Sequence, residues 1–192
     1  MKIFLSSIKN EFLKQKKGFT WPMVLLLPFG TSFLAFIDVY LRYDYLIKKL
    51  NNLNPWEILL LENHLSALWL ITFPLAITTI CSLLYYVDYR DGGLKYTLTL
   101  PIGKNKLYFS KWITAVIFSA IMIILNILGL VFVGKLLGFS NSLDINLFLK
   151  YSVYQFIAIL GIISVQVWLS SRTNNIIVSL TQGFVGIVAS LF

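Results

Sequence analysis

Residues 112–133 read WITAVIFSAIMIILNILGLVFV, twenty-two residues without a charge. At 1.5 Å per residue a helix of that length covers the roughly 30 Å of hydrocarbon in a bilayer. Working outward, four further uncharged segments of similar length appear at 19–37, 65–87, 151–169 and 176–192. Polar connections separate them along all 192 residues, and only 12% of the chain is charged, against roughly 25% in soluble domains. The fold expected is therefore an all-α, polytopic membrane bundle forming one domain over 1–192, with five spans in view. Phe192 ends the sequence within an apolar segment, with no basic anchor after it. A truncated sequence or a missing sixth span is the expectation, with a five-span protein as the alternative.

Lys and Arg orient the spans. Eleven lie on the side shared by the N-terminus, the 88–111 connection and Arg172, while the other side holds five: Arg42, Lys48, Lys49, Lys135 and Lys150. The excess marks the first side as cytoplasmic, which makes a multi-pass protein of the cell membrane with its N-terminus inside. The net charge of +8 is thus topological. It brackets spans and makes no stripe, so lipid is an expected partner and nucleic acid is not.

Within 1–18, Phe4, Leu5, Ile8 and Phe12 fall at helical spacing with lysines off the stripe, as in a helix lying in the membrane interface. The 38–64 connection is long enough for structure of its own, and Trp56, Leu59, Leu60 and Leu61 suggest that part of it rests at the interface. Pro28 and Pro74 fall inside spans and predict kinks.

Residues 129–135 read GLVFVGK, the opening of a phosphate-binding loop, but Leu136 stands where Ser or Thr must bind magnesium. His64 has only Glu62 near it in metal-ligand spacing, so no metal site is expected. No nucleophile, base and acid combine, so no catalytic residue and no cofactor is expected. The spans hold no Asp, Glu, Lys or Arg, which disfavours a proton-coupled carrier. Their polar side chains include Asn126, Gln155 and Gln166. These residues either hydrogen-bond between helices or line a substrate pathway. Ser179, Gly183, Gly186 and Ser190 suggest a packing seam in the last span.

The connection 88–111, DYRDGGLKYTLTLPIGKNKLYFSK, carries a different pattern. Gly92 and Gly93 allow a sharp reversal, Leu94 and Leu98 lie one helical turn apart, and Pro101 ends the turn. A short helix of this kind offers an apolar knob to a partner's groove.

Asp88, Gly92, Gly93, Leu94, Leu98, Pro101, Lys104 and Lys111 resemble the cytoplasmic signature of type-2 exporter permeases of ATP-binding-cassette transporters. Asp88 stands where Glu is more usual, and Gly93 where Thr is common. The resemblance implies that Asp88, Gly92, Gly93, Leu94, Leu98, Pro101 and Lys104 dock a separate ATP-binding subunit. It also implies a second permease subunit, identical or different. With LLLPFGTSFLAF at 25–36, WEILLLENH at 56–64 and LLYY at 83–86, the chain is similar to permeases of lantibiotic immunity transporters. That likeness implies amphipathic antimicrobial peptides as cargo. The alternative from another class is a membrane scaffold or signalling partner that transports nothing.

Overall fold

The computed structural model describes residues 2–16, 18–90, 103–173 and 175–189. These form seven helices: α1 (Lys2–Gln15), α2 (Thr20–Lys49), α3 (Pro55–Leu65), α4 (Trp69–Tyr89), α5 (Lys104–Leu136), α6 (Ile145–Arg172) and α7 (Ile176–Ala189). Four of them, α2, α4, α5 and α6, are long and apolar enough to cross a membrane, and α7 is a shorter apolar helix. The chain is a polytopic helical membrane bundle.

The 38–64 connection is more helical than a surface loop. Asp38 and Arg42, one turn apart, form an ion pair at 2.9 Å, and α2 continues past them to Lys49 with a local break at Arg42 (φ −116°, ψ 16°). At 1.5 Å per residue its 30 residues extend about 45 Å, well beyond the hydrocarbon. Pro28 removes one backbone donor inside α2. One turn on, Thr31 and Ser32 donate to the carbonyl of Pro28 itself at 3.0 and 2.9 Å.

Helix α3 starts with Pro55 in its first turn, and Glu57 accepts the Asn54 N–H at 2.8 Å. Of the four residues read as an interface patch, Trp56, Leu59 and Leu60 are buried against neighbouring helices and Leu61 is half-buried. The reason is that the run ILLL is apolar all round, so α3 inserts between its neighbours. The Trp56 ring lies against Gly134 of α5 and meets Phe139 and Phe148 edge-on at 5.3 and 6.3 Å. Its Nε1 donates to the Asn141 carbonyl at 2.9 Å. Between α3 and α4 the backbone turns through Leu68 at φ 59°, a left-handed conformation uncommon outside glycine.

Other ends are set locally. Gly138 (φ 71°) lets α5 stop, and the Phe139 N–H closes on the Gly134 carbonyl at 3.2 Å. Asp144 caps α6 by accepting from the Asn146 and Leu147 N–H groups at 3.0 and 3.2 Å.

Two apolar clusters stack along the bundle. One joins α4, α5 and α6 through Ile77, Ile80, Leu84, Phe118, Met122 and Ile163; the other joins α2, α3 and α5 through Val39, Leu46, Leu59, Leu130 and Val133. Lipid tails are as apolar as leucine, so fit rather than water drives this packing. Glycines show it best: a Cβ on Gly129 would sit 2.5 Å from Ser32 Oγ. GLVFVGK is thus the last two helical turns of α5, with Gly129 and Gly134 in tight contacts and no loop to cradle a phosphate. In α7 the buried seam is Ser179, Gly183 and Ile187. Gly186 faces open space, and Ser190 lies outside the described residues.

Candidate docking and pathway sites

Gly92, Gly93, Leu94, Leu98 and Pro101 lie outside the described residues. The stems on either side of them are described. Asp88 ends α4 with its side chain buried, and Lys104 opens α5. Seven residues into α5, Lys111 has a fully buried side chain.

Lys111 Nζ sits 2.8 Å from Glu11 Oε2 and 2.5 Å from Asp88 Oδ2. It also donates to the Leu84 carbonyl at 2.5 Å and lies 4.9 Å from the centre of the Tyr85 ring. Lys14 Nζ meets the outward oxygens of the same acids, Glu11 Oε1 at 2.8 Å and Asp88 Oδ1 at 2.7 Å. Two acids and two ammoniums therefore form an electroneutral cluster across α1, α4 and α5. Taking an ion out of water costs several kcal/mol, about as much as well-made partners return. Lys111 meets that condition by donating to Glu11 and to the Leu84 carbonyl, with the Asp88 carboxylate beside it as an ion pair. Burial alone would lower the Lys14 pKa, but Glu11 and Asp88 outweigh it and hold it above the ordinary value.

The sequence marks Lys14 as an orientation charge and Lys111 as an orientation charge and part of the signature, and it does not single out Glu11. A signal existed: Glu11 is the only acid before Asp38, on a segment otherwise basic. Among the described side chains of α1, Glu11 and Gln15 are buried, while Leu5 of the apolar stripe and Leu13 beside the stripe are exposed. Gln15 Oε1 accepts from Thr20 at 2.6 Å, and Phe12 packs 6.5 Å from Trp21 and 5.0 Å from Phe118. The helix is held against the bundle.

Deeper in the bundle the three candidate pathway residues lie apart. Asn126 is buried in α5, where its Nδ2 reaches Thr31 Oγ1 at 3.2 Å and Asn63 Oδ1 at 3.4 Å, and its Oδ1 accepts from Asn63 Nδ2 at 3.1 Å. Gln166 of α6 donates to Ser82 Oγ at 3.2 Å and to the Ser179 carbonyl at 2.9 Å. Both amides are engaged in interhelical hydrogen bonds. Gln166 also borders a cavity of about 310 Å³ with Thr78, Gln182 and Gly183.

Gln155 accepts from Trp69 Nε1 at 3.3 Å. It lines a larger cavity of about 420 Å³ with His64, Trp69, Phe73 and Ile187. His64 Nδ1 lies 3.0 Å from the Tyr151 hydroxyl, and burial pushes the imidazole pKa down.

No curated protein and no solved structure shows a match to this chain. One family model does, over residues 7–190, under the description ABC-2 family transporter protein. That range runs from α1, through the charged cluster and the 91–102 segment, to the end of α7, so the chain belongs to the ABC-2 transporter family as a multi-pass membrane component.

Proposed function

We propose that the chain is a permease subunit that draws its energy from a separate ATP-binding subunit docked on the 88–111 connection. Gly92, Gly93, Leu94, Leu98, Pro101 and Lys104 form that contact, Asp88 holds its departing stem from inside the bundle, and a second permease subunit, identical or different, completes the pore. The family match over residues 7–190 carries this reading. It is supported by the stems of the connection, which the ion cluster ties into the bundle. On this reading the N-terminus and the connection face the cytoplasm, and the larger cavity with Gln155 belongs to the cargo route. Asn126 and Gln166 would then support the route through their hydrogen bonds. The cargo is an amphipathic antimicrobial peptide expelled from the membrane of the cell.

The docking claim has a direct test. Leu94→Asp and Leu98→Asp should each abolish co-purification of the ATP-binding subunit while leaving the permease in the membrane; unchanged co-purification overturns it. For the cargo, cells lacking the permease should become more sensitive to a lanthionine-containing peptide and regain tolerance when it is restored. Equal sensitivity overturns the cargo and leaves the docking claim standing.

A further inference from the structure

Four charges bury themselves between the ends of α4 and α5 that flank residues 91–102, and their arrangement has a mechanical meaning. Asp88 is on the departing stem and Lys111 on the returning one, and they pair with each other at 2.5 Å. That pair alone would tie the two stems together. Glu11 and Lys14 add a second, electrically neutral pair from α1, each bonded to the stem pair as well as to its own neighbour. Helix α1 is thereby fixed to both stems at once. Its other attachments run to the start of the first span, through Gln15 to Thr20 and Phe12 to Trp21, and to α5 through Phe12 to Phe118.

We propose that Glu11, Lys14, Asp88 and Lys111 are positioning residues that make α1 and both stems one moving body. A displacement imposed on the 91–102 segment then reaches the first span through α1, without α1 touching the ATP-binding subunit. This rests on the docking reading above. A contact of this kind transmits motion because it is directional and costly to break halfway: separating one partner leaves a buried charge uncompensated. A purely apolar contact of α1 could slide. The stoichiometry also supplies a clean way to cut the link, since removing one acid and one ammonium from α1 leaves Asp88 and Lys111 paired and the cluster still neutral.

The test uses Glu11→Gln with Lys14→Met in one chain, in a Cys81→Ala background so that spin labels attach only where introduced. Labels at exposed Asn10 and Tyr86 report α1 against α4. Labels at exposed Leu26 and Ile157 report the first span against α6. With the ATP-binding subunit bound, nucleotide should leave the Asn10–Tyr86 distance unchanged and shift the Leu26–Ile157 distance. In the double variant the subunit should still co-purify and hydrolyse ATP, while the nucleotide-shifted population of the second pair falls about tenfold, the scale on which a coupling element acts. A wild-type Asn10–Tyr86 distance that changes with nucleotide overturns the proposal, as does a double variant that shifts like the wild type. If no ATP-binding subunit co-purifies with the wild type, the docking reading has failed by itself. The isolated permease then still decides the clamp: a narrow Asn10–Tyr86 distribution that broadens in the double variant upholds it, and an unaltered one overturns it.

Discussion

At the scale of single residues, the chain places its charges where they are expensive and compensates them. Lys111 shows the cost most directly, because its ammonium is wholly enclosed by Glu11, Asp88 and the Leu84 carbonyl. Lys111→Met should destabilise the permease by about 3–5 kcal/mol, since two buried acids would then share Lys14 alone. Adding Glu11→Gln should recover part of the loss by restoring neutrality. Unfolding curves in detergent would measure both. The lysine was legible in the sequence as a cation but not as a buried one, because charge counting sums signs along the chain and is blind to Glu11, a hundred positions away.

His64 gives the pH dependence. Its pKa is lowered by burial, so below about pH 6.5 the unfolded chain binds a proton that the folded one resists. Stability should be full above that value and fall as pH drops toward the folded pKa. Lys14 moves the other way: its raised pKa confers stability that is lost only in strong alkali. The part of a thermal-unfolding profile just below about pH 6.5 thus belongs to His64, and His64→Gln should flatten that part.

At the scale of elements, hydropathy found the helices because the requirement for about 20 apolar residues is nearly independent of what they pack against. It could not show how they pack. Helix α3 escaped because eleven residues are too few for a span. Whether such a helix floats or inserts depends on a distant complement, here the bare backbone of Gly134 beneath Trp56. Gly134→Ala should therefore loosen α3, at a cost of about 1–3 kcal/mol for an overpacked contact. Trp56→Leu in the same chain should restore much of the loss, and protease sensitivity between α2 and α3 would follow both changes. The polar candidates were legible as residue types only. Asn126 and Gln166 turned out to bond between helices, whereas Gln155 borders the larger cavity, a division that depends on which faces meet.

At the scale of the whole molecule, the alternation of crossings has a simple readout. Exposed Ser6 and Asn105 belong to one end of the bundle, and exposed Asn51 and Ser142 to the other. Single cysteines at the first two should react with an impermeant reagent from one face of the membrane, and those at the second two from the opposite face. A mixed pattern would contradict the crossing order of α2, α4, α5 and α6.

The two stacked apolar clusters bear on how the molecule comes apart. Among the described residues, only Ile127 packs against both, next to Asn126 in α5. Such a narrow waist separates two cooperative units of different stability, as regions of one native protein commonly open separately. Amides of α3 should therefore exchange with solvent deuterium through an opening that leaves those of the inner half of α4 protected, so that local melting begins at one end of the bundle while the charged end stays closed.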